Sequence, residues 1–293
     1  MQVEQELLTA PAGFGEIAPR RSKVIRPVSF SPRILVTGLK ELYWYRDLLY
    51  TLTLHRISVR YKQSALGLSW ALLQPLALML VYTAVFSLTR MPKHGDHYSL
   101  FVLAGILPWT FFQTSLSTAS TGLVSHTQLI TKVYFPREIL PITYVLAALV
   151  DFMIASLILA TMMLIYHVGV GPLALNLIPI LIVEFLLATG FALVLSAVQV
   201  KFRDIGIAMP LILQLWMFGS PVVYSFADVP RRLRGLYELN PIVGVVENFR
   251  RVLIQGLGID LPTLTYSAVS AVLIVVAAYL YFKYREATMA DII

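Results

Sequence analysis

Cysteine is missing from all 293 residues. That excludes a disulfide framework, thiol chemistry and a zinc site built on thiolates. Charge is scarce too: Asp, Glu, Lys and Arg make up 13% of the chain, against about 25% in an ordinary soluble domain. So small a supply cannot cover a water-facing surface. No lysine follows a glycine, so the GxxxxGK(S/T) loop that cradles nucleotide phosphates cannot be drawn. This chain is therefore not expected to hydrolyse ATP, and any active transport needs energy from a partner or an ion gradient. No Ser/His/Asp set or carboxylate pair can be assembled for catalysis. His94 and His97 flank Asp96, but a metal site needs three or four fixed ligands and that loop offers no others. No metal and no cofactor are expected on this chain. The first 60 residues hold no apolar core of signal-peptide length, so targeting is expected to come from the apolar blocks themselves.

What the chain does have is 58% hydrophobic residues, gathered into six blocks at 65–88, 98–124, 139–166, 177–200, 205–223 and 263–282. Each is near the roughly 20 residues that cross a bilayer as a helix. The pattern predicts an all-α, polytopic membrane protein with six spans, in one domain over residues 63–284. Gly219, Ser220 and Pro221 break the fifth block near its end. Residues 1–38 carry Arg20, Arg21, Lys23, Arg26 and Arg33 among prolines and read as a flexible cytoplasmic tail; residues 285–293 form a second tail.

Between the tail and the first block, residues 39–62 repeat at helical spacing. Leu42, Tyr45, Leu48, Leu49, Leu52 and Val59 fall on one side, and Arg46, Asp47, Thr51, Ser58 and Arg60 on the other, with Arg56 interrupting the stripe. An amphipathic helix with this many charges is expected to lie along the membrane interface. Residues 224–258 are too polar to cross and too apolar for a free loop. Asn240 before Pro241 makes a helix start, and the stretch reads as a re-entrant helical hairpin in the outer leaflet, facing protein or water. Sixteen of the 23 Lys and Arg fall on one side of this arrangement and seven on the other, which favours both termini in the cytoplasm. The net charge of +7 thus reads as charge for membrane lipids, not for nucleic acid.

Two acids, Asp151 and Glu184, sit inside blocks, with no lysine or arginine visible at the same depth. Each costs about 2.5–3.5 kcal/mol at a span centre, so each is expected to face other helices or water, as a proton or substrate site or as a pin between helices. Aromatic residues gather near span ends: Trp109, Phe111, Phe112, Trp216, Phe218, Tyr224 and Phe226. They fit interfacial belts or packing, and some fit a path for sugars, whose C–H faces pack on rings.

Four stretches carry a likeness: RYKQSALGLSWALLQPL from Arg60, KVYFPREILP from Lys132, FRDIGIAMPLILQLWMFGSPVVY from Phe202, and LNPIVGVVENFR from Leu239. Together, over residues 39–282, the chain resembles the permease subunits of ABC-2 type exporters of polysaccharides and polyol phosphates, a group that moves O-antigen, capsule or teichoic acid. The resemblance implies a homodimer with a channel between protomers. It also implies two copies of a separate ATPase that holds the ATP and Mg. The cargo it implies is a lipid-linked polysaccharide such as one on undecaprenyl pyrophosphate, with O-antigen favoured on overall likeness. It makes residues 131–138, with Lys132, Tyr134, Phe135, Arg137 and Glu138, the element that couples to the ATPase. The helix at 39–62 becomes a gate at the lipid entrance, with Arg46, Arg56, Arg60 and Lys62 at headgroup level. Asp151, Glu184, Trp216, Phe218 and Tyr224 are channel or helix-pinning candidates. Two other readings stand beside it: an ion-coupled secondary transporter using Asp151 or Glu184, and a membrane enzyme acting on lipid, which lacks a catalytic cluster at a span end.

Overall fold

The computed structural model describes residues 33–62, 64, 66–88, 97–169 and 171–292. Most of the N-terminal tail, and His94 and Asp96, lie outside them. Among the described residues the regular structure is helical throughout. The elements are α1 (Arg33–Trp44), α2 (Arg46–Lys62), α3 (Ser69–Leu88), α4 (Tyr98–Ser125), α5 (Thr127–Lys132), α6 (Ile139–Ile165), α7 (Leu177–Lys201), α8 (Asp204–Phe218), α9 (Arg231–Glu238), α10 (Pro241–Leu253) and α11 (Leu261–Ile292).

Five of these, α3, α4, α6, α7 and α11, are long and apolar enough to cross a membrane. The fifth block of the sequence folds as a shorter helix than its apolar run. Its helix, α8, has 15 residues and stops at Phe218, because Gly219 and Pro221 end the helical hydrogen bonding before a full span is reached. The last span and the expected C-terminal tail form one helix, which continues to Ile292.

α4 is the axis of the bundle. It packs on α3, α6, α7, α8 and α10, and 78% of its most apolar stretch is buried, against 11% for α3. In lipid no hydrophobic force drives helices together, so close packing through small residues must do it. Ala188, Ala192 and Ala197 on α7 and Ala271 and Ala278 on α11 are all buried, and the α7–α11 contact is the most extensive in the molecule.

The helix expected over 39–62 is two helices, with a turn at Tyr45 between α1 and α2. Its stripe is covered by protein: Leu42, Tyr45, Leu48, Leu49 and Leu52 pack on a second hydrophobic cluster made by Leu123, Ile139, Leu140, Tyr279 and Phe282. Val59 alone of the stripe is exposed.

At the opposite end, Asn240 accepts a hydrogen bond from the Ile242 amide and Pro241 takes the first position of α10. A capping box at Ser225 and Asp228 organises the preceding turn. Asn240 also accepts from Trp216 Nε1 at 3.2 Å and donates to Ser220 Oγ at 2.8 Å, joining α8 to α10.

Candidate functional site

The face of α4 that its neighbours leave partly open carries Thr110, Gln113, Thr114, Ser117, Thr118 and Thr121. Spacings of three and four residues put these on one side of the helix. Several hydroxyls return to their own backbone, Thr110 to the Leu107 carbonyl at 2.9 Å and Thr118 to that of Thr114 at 2.6 Å. That satisfies them without help from a neighbour.

Two adjoining cavities open onto this stripe. One of about 290 Å³ is lined by Arg60, Trp70, Gln74, Thr110, Thr114 and Asp151, among others. The second, about 180 Å³, adds Arg56, Thr118 and Tyr144. Arg60, Thr114, Ala148 and Asp151 line both, so the two form one groove between α2, α4 and α6.

Asp151 is not without a partner, as the sequence suggested. Arg60 Nη1 donates to one of its carboxylate oxygens and Tyr61 Oη to the other, the latter at 2.5 Å. Burial first, and then the Asp151 carboxylate, push the Tyr61 hydroxyl up to about 12, so it stays protonated and donates. The missing cation was 91 residues away in sequence. Arg56 lies over the Tyr144 ring at 3.8 Å, a cation–π contact. Arg46 sits over Tyr43 and 3.8 Å from Asp47, well exposed; Lys62 is exposed at the end of α2. Of the four residues that the resemblance places at a gate, the structure brings only Arg56 and Arg60 to the groove.

Residues 131–138, which the resemblance makes the coupling element, divide as well. Val133 has extended backbone, and the segment is exposed up to Tyr134 and buried from Phe135 on. Tyr134 accordingly points out, at 70% exposure, and Phe135 points in, at 4%. Phe135, Arg137 and Glu138 were expected on the docking surface, and all three are buried. Phe135 belongs to the second hydrophobic cluster. Arg137 donates to the Glu286 carbonyl at 2.7 Å. Glu138 accepts from Lys283 and Tyr279; burial pushes its carboxyl up from the ordinary range, against the pull of Lys283. Of residues 131–138, only Thr131, Lys132, Val133 and Tyr134 present themselves outward.

Of the remaining candidates, Glu184 is fully buried, and among the described residues neither of its oxygens has a hydrogen-bond partner. Trp216 packs edge-on against Phe112 and Phe191 at 5.2 and 5.3 Å, which accounts for it as packing. Tyr224 donates to the Phe218 carbonyl at 2.8 Å, and Phe218 is exposed. Trp109, Phe111 and Phe112 are core residues.

Arg250, which the sequence counted among outward charges, is completely buried. It donates to the carbonyls of Phe101, Pro221, Tyr224 and Val222 and lies over the Phe101 ring at 4.0 Å. The 219–224 break leaves carbonyls without helical partners, and this guanidinium supplies the donors. Gly105 makes room: a Cβ there would overlap both the guanidinium and the Val222 carbonyl.

A bundle of apolar helices, a polar stripe on its central helix and a groove at one end define a multi-pass membrane transporter. Residues 47–254 match the ABC-2 type transporter family, and the chain belongs to that family; it is a transport subunit and not an enzyme. It is 29% identical over 261 residues to the O-antigen export system permease protein RfbA of Myxococcus xanthus, covering 86% of this chain and 98% of that one. Against the protein of the same name from Klebsiella pneumoniae it is 26% identical over 211 residues, 72% and 81% of the two chains. The polysialic acid transport protein KpsM of Escherichia coli is 24% identical over 244 residues, 81% and 93%.

Proposed function

We propose that this chain is the permease subunit of an exporter that moves a lipid-linked polysaccharide, of the O-antigen class, across the cytoplasmic membrane. The observation that carries the reading is the groove holding Arg56 and Arg60 and running onto the polar stripe of α4. A pyrophosphate-linked lipid carries its charge at headgroup level, where guanidinium groups bind phosphate oxygens well. The glycan that follows is rich in hydroxyls, which the Thr, Ser and Gln side chains of α4 can meet. That stripe is half-open in one chain and is unsuited to lipid, so a second copy closing over it gives the homodimer with a path between protomers. Each protomer works with one copy of a separate ATPase that binds ATP and Mg, docking around Lys132 and Tyr134. This places α1, α5 and both termini in the cytoplasm and the 224–258 hairpin outside. The relatives' names, O-antigen export and polysialic acid transport, support the cargo class.

The test is reconstitution. The chain and its ATPase are placed in vesicles with a radiolabelled glycan on a polyprenyl pyrophosphate, and appearance of the glycan on the far side is measured. Transfer should require ATP and survive ionophores. Transfer that persists without ATP and stops when the ion gradient is collapsed would overturn the reading in favour of ion coupling.

A further inference from the structure

Three segments far apart in sequence meet at Lys283. Its ammonium lies 2.7 Å from Glu138, which ends the coupling segment, and 3.0 Å from Glu286 on its own helix. Glu41 of α1 lies 3.7 Å away. The side chain is only 10% exposed and Glu138 not at all, whereas Glu41 is 53% exposed. Tyr279, one turn earlier on α11, donates to Glu138 Oε1 at 3.1 Å. Gly38 of α1 sits directly on the Tyr279 hydroxyl, and a Cβ at that position would overlap it. The same cluster thus holds α1, the 133–138 segment and α11 together. Arg137 does not share the load of the three carboxylates: its amide N–H reaches Glu286 Oε1 at 3.2 Å, but its guanidinium goes to the Glu286 backbone carbonyl.

One ammonium carries a single positive charge against three carboxylates and cannot neutralise all of them, so its allegiance depends on where they stand. Seated as it is, Glu138 takes the shortest contact and Glu41 the longest. A shift of the 133–138 segment that draws Glu138 away leaves Lys283 with charge to spare. Glu41 is the carboxylate with freedom to move, because it is half-exposed and lies on a short helix with few contacts. Coulomb attraction at this burial is worth several times its value in water, enough to bias the position of α1. We propose that Lys283 is the positioning residue that transmits displacement of the 133–138 segment to α1, through exchange of its partner between Glu138 and Glu41. This rests on the proposed function, in which the ATPase docks around Lys132 and Tyr134, at the start of the segment that Glu138 ends.

The experiment uses the full chain with its ATPase in vesicles. The chain has no cysteine, so Leu39→Cys on the exposed side of α1 gives a single thiol whose labelling rate reports α1. With Glu41 and Lys283 intact, the rate should change several-fold on adding ATP. With Glu41→Gln the change should vanish and export per ATP hydrolysed should fall several-fold, while assembly and basal hydrolysis persist. Lys283→Met should do the same and Lys283→Arg should restore much of the response, a rescue that packing alone would not produce. Because Glu41 is half-exposed, its variant tests the relay even if Lys283→Met fails to fold. An ATP response unchanged in Glu41→Gln overturns the relay. So does an α1 that ignores ATP beside active export, and that result leaves the proposed function standing.

Discussion

The two ends of the bundle secure their irregular backbone by opposite means. At the hairpin end one cation, Arg250, donates to four backbone carbonyls, with the Glu247 carboxylate further off at 3.6 Å, and is wholly enclosed. At the other end one cation, Lys283, is divided among three carboxylates, one of them half-exposed. Carbonyls are neutral and fixed by the chain, so four of them hold a guanidinium in one place. Carboxylates carry full charge on movable side chains, so several arrangements around one ammonium have similar energy. The first is a peg and the second a junction. On the proposed function the first is a fixed floor beneath the hairpin, and the second a joint beside the place where the ATPase docks.

The strongest blow to this contrast falls on the peg. Arg250→Ala strands four carbonyls inside the protein, and breaking a buried charged partnership costs on the order of 3–5 kcal/mol. Arg250→Lys should fare little better, because an ammonium lacks the planar fork that reaches all four. Both should lose most of the monodisperse protein in detergent and melt well below the parent. A Lys variant as stable as the parent would show that the hairpin end tolerates rearrangement after all.

At the junction end, neighbouring residues should separate cleanly. Phe135 is buried, and Phe→Ala in a core costs about 3–5 kcal/mol, so Phe135→Ala should lower thermal stability whatever it does to transport. Tyr134→Ala removes an outward side chain and should change stability by less than about 0.5 kcal/mol, while ATP-driven export falls. Equal melting points for the two variants would refute the inward and outward assignment.

In the groove the expected effect is smaller still on stability and confined to function. The Arg60–Asp151 pair is partly exposed, with Arg60 40% accessible, and such pairs contribute about 0–1 kcal/mol. Arg60→Lys should therefore fold normally and yet export several-fold more slowly, because it keeps the charge and loses the planar head. Export at the parent's rate would leave general electrostatics as the only role of the cation.

Much of this molecule was legible in the sequence where the signal is local. Long apolar blocks give helices α3, α4, α6, α7 and α11, since a membrane helix satisfies its own backbone and needs only composition. The start of α10 at Asn240 and Pro241 is equally local. What escaped depends on contacts between distant segments. The inward turn between Tyr134 and Phe135 lies within KVYFPRE, but which of its residues faced protein could not be read. Arg60 and Asp151 are partners only because α2 folds back on α6. Arg250 and Lys283 were among the charges sorted to the two sides of the membrane, yet both are buried, since carbonyls and carboxylates supplied from elsewhere in the chain make burial tolerable.

Asp151 and Glu184 looked alike in the sequence, and the smallest predicted effect belongs to the second. Asp151 has an arginine and a tyrosine and lines the groove. Glu184 is enclosed among the apolar residues of α7, with Ile180, Val183 and Leu187 beside it in sequence and buried like it. An ionised carboxylate there would need a cation or several donors to offset its lost hydration, and among the described residues neither oxygen has a hydrogen-bond partner. Its shape, then, is what the site requires, and Gln keeps that shape while removing the ionisable proton. Glu184→Gln should export at the parent's rate, and its melting point should differ by no more than an ordinary surface substitution would cause, about 0.5 kcal/mol. Glu184→Lys, which forces a charge into the same space, should not accumulate. If Gln instead abolished export while folding normally, a proton at Glu184 would be part of the transport cycle, and ion coupling would have to be added to ATP as a source of energy.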